Sequence, residues 1–261
     1  VAGEIIREVL SILGEEISNF SEIRVEKVCL GLGYTGVKLH TGHAGVCHTL
    51  SAEMTFQCCQ ILEKAGTLAG SRAADLAQLA TSWDLGERVV GVATVNALSQ
   101  IVFEEKPQRY QIEAGNLIDA VEIKSGDNVV LVGNIRPFIP IIKAKTRNLH
   151  ILERNPVREE DVLPDVAGEE LLPKADIVII TGSAVANGTL DRLLELSQKA
   201  REVVLSGPSA SFIPDPLFKR GVKATGGIQA VDAERLLQII GEGGGTPQIK
   251  SAVRFVVIKP K

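Results

Sequence analysis

Aromatic side chains are scarce in this sequence. They make up 4% of 261 residues, with one Trp and two Tyr. So few rings argue against a β-sandwich and against a surface that stacks nucleic-acid bases. A basic excess is missing too: the formal net charge is -4. The first 120 residues carry nine basic and fifteen acidic side chains, and the remaining 141 carry nineteen and seventeen. Neither half is expected to bind nucleic acid by neutralising its backbone. The mild positive balance of the second half makes it the better place for an anion-binding surface. Cysteine is confined to four positions, Cys29, Cys47, Cys58 and Cys59. A chain of this length needs no disulfide framework, and no signal-like segment precedes the first expected helix. Long apolar runs are absent: the longest, around residues 177–180, is bounded by Asp176 and Thr181. It falls short of the roughly 18 residues of a membrane span. A cytoplasmic protein with no membrane partner is expected.

Hydrophobic residues are 45% of the chain, and there are 25 glycines. Such a chain can build a sizeable core and favours a glycine-turned α/β architecture. Ile5, Ile6, Val9, Leu10, Leu13 and Ile17 recur at helical spacing, so residues 3–18 are expected as one amphipathic helix. Three short extended runs follow at 23–30, 36–39 and 45–50, punctuated by Gly31, Gly33 and Gly42. They read as an antiparallel meander. Helices are expected over 65–79 and from about Arg88, the latter capped by Asp84. Strands first and helices after describe a small α+β unit over residues 1–120.

From there to residue 261 the pattern changes. Apolar runs at 128–132, 148–152, 177–181, 203–206 and 222–225 alternate with helical segments at 138–145, 188–199 and 233–240. That alternation predicts a parallel sheet covered on both faces. Residues 241–247 read as a flexible turn. A last strand at 252–258 has no assignable partner.

The ends of these strands carry the candidate site. Gly133 ends the first and precedes a helix, the order of a nucleotide-binding unit, but the G-x-G-x-x-G fingerprint is absent. A glycine there lets a ligand approach, or serves packing alone. Glu153 ends the second strand, where an acidic side chain accepts ribose hydroxyls in dinucleotide and adenosyl sites. The alternative is a surface carboxylate paired with Arg154 or Arg158. Thr181 and Ser183 end the third strand and are expected to touch ligand. Asn187 either joins them or caps the next helix. Ser209 follows the fourth strand, with the same small, hydroxyl-rich chemistry. Arg136 sits near the mouth and can meet a phosphate or carboxylate.

The first half offers reactive groups. His40, His43, Cys47 and His48 crowd into nine residues, with Cys29 on a neighbouring strand. These are metal-ligand types, yet their spacing matches no closed metal site. Along a strand Cys47 and His48 point to opposite faces. His48, Glu53 and Lys38 are accessory candidates: an imidazole, a general base or metal ligand, and a cation. Cys58 and Cys59 are expected in the core. Asn96, alone among small apolar residues, must be hydrogen-bonded if buried. It either tethers backbone or reaches a ligand, and the second is favoured.

The phrases GLGYTGVKL, GVCHTL and GVATVNALSQ in the first half, with VVLVGNIRPFIP, HILERNP, LPKADIVIITGSAVANGTLDRLLEL and VVLSGPSASFIPDPLF in the second, resemble the heavy-metal chelation family of domains of unknown function. The resemblance spans nearly the whole chain. It implies an enolase N-terminal-like domain over 1–120, joined to a Rossmann-like α/β domain over 121–261, with a site between them. The enolase likeness concerns the accessory domain and carries no enolase activity. The function expected is a small-ligand-binding protein or enzyme whose interdomain site acts on or chelates a heavy metal or a metal-chelate metabolite. A transient metal or its chelate stands as the cofactor. A small molecule is the expected partner, with a second copy of the chain beside it. Two other readings stay open: an adenosyl- or nicotinamide-dependent enzyme such as a methyltransferase, and a non-catalytic regulatory module.

Overall fold

The computed structural model describes residues 3–54, 61–155 and 161–261. Cys58, Cys59 and Arg158 lie outside the described residues. The chain opens with helix α1 (Glu4–Glu16), whose Ile5, Ile6, Val9, Leu10 and Leu13 are buried. The helix has no local side-chain cap. Its first N–H groups are met from the second half, where Asp191 accepts from Gly3 N (2.8 Å) and Ile5 N (3.1 Å). An acid at this end also suits the helix dipole.

Strands β1 (Val25–Leu30), β2 (Tyr34–Leu39) and β3 (Ala44–His48) form an antiparallel sheet in that order. The register pairs Tyr34 with His48. The helix expected over 65–79 is shorter: α2 spans Ala73–Gln78. Gly66 and Gly70 both adopt positive φ, which ends any helical path through them. Helix α3 (Leu85–Glu105) follows, capped by Asp84, which accepts from Glu87 N at 2.9 Å. Every residue of α3 from Val89 to Phe103 is buried. A helix apolar on all sides must be enclosed on all sides, and the remainder of the chain supplies the enclosure.

The larger sheet has eight strands. They are β4 (Gln111–Ala114), β5 (Asn128–Val132), β6 (Asn148–Glu153), β7 (Val162–Pro164), β8 (Ile177–Thr181), β9 (Glu202–Ser206), β10 (Ala224–Ala230) and β11 (Val253–Lys259). Their spatial order is β4-β11-β10-β9-β8-β5-β6-β7. The run from β10 to β7 is parallel, and β11 pairs antiparallel with both β10 and β4. The terminal strand thus finds its place, and β4 joins the sheet from upstream of residue 121. The intervening helices are α4 (Ile139–Lys143), α5 (Gly168–Leu171), α6 (Ser183–Ala186), α7 (Leu190–Leu196), α8 (Asp215–Lys219), α9 (Ala233–Gly241) and α10 (Thr246–Ile249).

Strands β5, β8 and β9 are apolar through their middles because both faces are covered. Val130, Val132, Val178 and Ile180 share one core with α1, α3 and the small sheet's Val37, Leu39 and Cys47. Val129, Leu131, Ile177 and Ile179 face the opposite layer with Ile118 and Ile142. The other face of the small sheet packs its Tyr34, Ala44 and Val46 against Leu236, Leu237 and Ile240 of α9. The small sheet is therefore held between α3 and α9. No helix among the described residues is long and apolar enough to cross a membrane.

Candidate functional site

From β5 the chain steps outward to β6 and β7, then returns to the other side of β5 to build β8, β9 and β10. The reversal falls between β5 and β8. In open α/β sheets the loops diverge there and leave a crevice at the strands' carboxyl ends. A cleft occupies that position. It has two adjoining lobes, of about 620 and 600 Å³, that share His48, Asn134, Ile135, Thr181 and Ser183. That is room for a metabolite-sized ligand.

Gly133 forms the floor next to β5. Its φ is +91°, and a Cβ there would lie 2.7 Å from the Thr181 side chain. Glycine is thus needed both for the turn and for the approach of β8. The helix does not start at this turn. Residues 134–138 intervene before α4, so the expected helix N-terminus is not presented directly after the glycine.

Glu153 is committed to the same turn. One carboxylate oxygen accepts from Asn134 N (3.0 Å), the other from Arg154 N (2.8 Å) and Asn155 N (3.3 Å). A carboxylate holding three backbone donors braces the turn, and Glu153 lines the first lobe as well. Thr181 and Ser183 line both lobes, and Thr181 Oγ1 accepts from Ser183 N at 3.4 Å. Asn187 also lines the first lobe, while its Oδ1 receives the Thr189 hydroxyl (2.7 Å) and N–H (3.2 Å). Arg136 and Ser209 line the second lobe.

The small sheet supplies the roof. His48, at the end of β3, lines both lobes. Its N–H donates to Ser209 Oγ at 2.9 Å, and its ring meets that of Tyr34 edge-on at 5.9 Å. Its Nδ1 is buried without a hydrogen-bond partner. Burial pushes the imidazole pKa below its usual range, and the nearby Glu153 carboxylate opposes that shift only in part. The neutral form of the ring is therefore favoured. Glu53 stands on the rim of the first lobe. Arg154 approaches it to 3.4 Å and spans to Asp165 at 4.0 Å. Burial raises the Glu53 carboxyl, Arg154 lowers it, and Glu153 and Asp165 add to the rise.

Two expected contacts lie elsewhere. Asn96 is fully buried and lines neither lobe. Its amide donates to Val46 O (2.8 Å) and Ser209 O (3.1 Å), so it ties β3 to the turn after β9. Lys38 is outside the cleft as well. It pairs with Glu26 (2.7 Å) and with Glu234 of α9 (2.5 Å), strapping that helix to the small sheet. The other first-half ligand types are dispersed. Cys47 points into the core, where burial pushes its thiol up to about 12. His40 Nδ1 meets Arg24 N at 3.0 Å, and His43 pairs with Glu104 at 2.8 Å.

Several cleft residues were not singled out from sequence. Asn134 and Arg154 adjoin Gly133 and Glu153, so adjacency alone could have nominated them. Tyr34, Asp165, Thr246 and Lys250 arrive by tertiary folding and carry no local signal.

Among the described residues no three His, Cys, Asp or Glu side chains are grouped to hold a metal ion. The cleft offers one imidazole, and its carboxylates at 53 and 153 already have partners. These residues do not form a site for a bare ion.

Comparison with known proteins places this geometry in a family. Residues 116–259 match the DUF364 family and residues 12–99 the DUF4213 family, each described as "Putative heavy-metal chelation". An uncharacterized protein of Methanocaldococcus jannaschii is 32% identical over 165 residues, 61% of this chain and 61% of that protein. The chain thus spans about three-fifths of the length of that curated relative. Two solved structures share the fold across the chain. A DUF364 protein of unknown function from Pyrococcus horikoshii is 25% identical, with a TM-score of 0.78 and 98% of each chain covered. Another, from Desulfitobacterium hafniense, is 26% identical, with a TM-score of 0.79 and coverage of 97% of this chain and 98% of that one.

Proposed function

The chain belongs to the DUF364 family, and from that premise we propose that it binds a small organic molecule in the two-lobed cleft, any heavy metal arriving as that molecule's chelate. The carrying observation is the cleft itself, at the strand reversal and roofed by His48 from the other sheet. The metal is cargo in this reading. The described residues group no three metal-ligating side chains, which supports a reading in which the organic ligand supplies most of the donors. The chain's residues bind and orient. Thr181 and Ser183 offer hydroxyls at the junction, and His48 offers a neutral imidazole there. The four carboxylates at 53, 153, 165 and 169, against Arg154 and Arg192, favour a cationic or metal-bearing end in the first lobe.

Calorimetric titration tests the reading, with nickel(II) alone and with preformed nickel(II)–citrate. The complex should bind saturably at one site per chain, and the bare ion should not. Ser183→Trp, which fills the junction, should abolish binding of the complex while the protein keeps its melting temperature within a few degrees. Stoichiometric binding of bare nickel, or an unaffected Ser183→Trp protein, would overturn it.

A further inference from the structure

His48 is placed to meet whatever enters the cleft. It lines both lobes, so its ring stands where they join. The residue is held on two sides. Its backbone N–H donates to Ser209 Oγ at 2.9 Å, and the Tyr34 ring packs edge-on against the imidazole at 5.9 Å between centroids. Tyr34 is fixed in turn, because its hydroxyl lies 2.7 Å from that of Thr246 on α10. The two ring nitrogens are not equivalent here. Nδ1 is sealed from solvent and has no hydrogen-bond partner, which leaves Nε2 as the nitrogen that opens onto the cleft. A neutral imidazole carries one proton, and its position decides what the ring offers. A proton on Nδ1 would be a buried N–H with no acceptor, the rarer kind of orphan in folded proteins. A proton on Nε2 points into the cleft and leaves only a bare lone pair inside, so the Nε2–H form is the better one. The imidazolium would bear the orphan N–H as well, which agrees with burial holding the ring's pKa below its usual range.

We propose that His48 is a hydrogen-bond donor to the cleft's ligand: its Nε2–H meets an oxygen acceptor of the organic molecule, and the ring takes no place among the metal's own ligands. This rests on the cleft being the ligand site. It adds the contact atom and the class of molecule that atom selects, an oxygen-rich chelator with an unprotonated oxygen at the junction of the lobes. A metal on Nε2 would drive the proton onto Nδ1, and metal-bound imidazoles almost always donate that other N–H to a partner. Nδ1 has none. Thr181 and Ser183 line both lobes and bring hydroxyls to the same junction. A ligand oxygen there meets donors from both sheets: the imidazole at the end of β3, and the hydroxyls at and just after the end of β8. The donor is uncharged and already oriented by Tyr34 and Ser209, so little ordering is left to the moment of binding.

The full chain, labelled with nitrogen-15 at histidine, is followed by long-range proton–nitrogen NMR near neutral pH. Spectra are taken in metal-free buffer and again with zinc(II)–citrate, a diamagnetic counterpart of the nickel complex. The His48 signals, assigned by their loss in His48→Gln, should show Nδ1 bare and Nε2 protonated in both states, with the Nε2 proton moving downfield when the complex binds. A proton on Nδ1 in the free protein would overturn the proposal. So would a switch of the proton to Nδ1 on adding the complex, since that marks a metal on Nε2. The tautomer is read in the parent protein, so this arm does not depend on any variant folding. Calorimetry with nickel(II)–citrate gives a second reading. His48→Phe should weaken binding about tenfold, the size expected for one charge-assisted hydrogen bond. His48→Gln, whose amide N–H reaches close to the place of Nε2–H, should recover most of that loss. If parent, Phe and Gln proteins bind the complex alike, the donor is rejected while the cleft reading stands. If the parent binds no complex at all, the donor and the cleft reading fall together.

Discussion

Single residues decide where the two sheets meet. Asn96 illustrates how a buried amide resolves into a strut: its neighbours along the helix are mostly apolar, and its amide donates to Val46 O and Ser209 O. Asn96→Ala leaves both carbonyls without that donor in a dry interior. The loss should be about 2–4 kcal/mol, from two buried hydrogen bonds, measured by urea denaturation. The partition of Cys47 and His48 to opposite faces was legible, because strand alternation requires it. What each face would meet was not legible. Cys47 is enclosed and its thiol is pushed up to about 12. Iodoacetamide at pH 8 should leave Cys47 unmodified in the folded protein, read by peptide mass spectrometry, and modify it in urea. His48 titrates the other way. Its folded pKa is depressed by burial, so as pH falls below the unfolded value of ~6.5 the unfolded chain takes the proton first. Stability contributed by the neutral ring is present above that pH and is lost on acidification. His48→Gln should flatten the slope of unfolding free energy between pH 6.5 and 5, as measured by denaturation at each pH.

Elements were easier to read than the places where they touch. The strand sequences of β5, β6, β8 and β9 declare themselves by continuous apolar runs, because both faces are buried. Helix α3 was found from its cap at Asp84. Residues 65–79 misled because Ala and Leu there fit helical spacing, while Gly66 and Gly70 turn the backbone left-handed. Strands β4 and β7 are too short and too exposed to carry a pattern. The contact of α3 with β3 depends on Gly45, where a Cβ would lie 2.2 Å from Ala97 N. No backbone can yield that much locally, so the helix would have to move. Gly133→Ala combines a φ of +91° with collision against Thr181. It should cost about 1–3 kcal/mol of stability and shift the cleft floor. The melting temperature should fall, and nickel(II)–citrate binding should weaken with it. Glu153→Gln replaces one of the two accepting oxygens by an NH2 donor facing a backbone N–H, so it should loosen the same turn by about 1–3 kcal/mol.

At the scale of the molecule, the two halves of the sequence share their interior. The core that holds α1 and α3 continues onto one face of the large sheet, and α9 of the second half covers the small sheet of the first. Composition and periodicity showed where the pattern changes along the chain. They could not show this mutual enclosure, which depends on pairings far apart in sequence. The same holds for the cleft. Gly133, Glu153, Thr181 and Ser183 were legible because parallel strands put their carboxyl ends on one edge. Tyr34 and Lys250 were not, since only the docking of the small sheet and α10 brings them there. The central claim is that this shared edge binds a small chelating molecule, with a metal carried as its cargo. The most direct measurement is an anomalous difference map at the nickel edge, from crystals of the protein grown with nickel(II)–citrate. The claim predicts a metal peak inside the cleft near His48, with citrate density joined to it. A metal peak held by protein side chains alone outside the cleft, with the cleft empty, would contradict it.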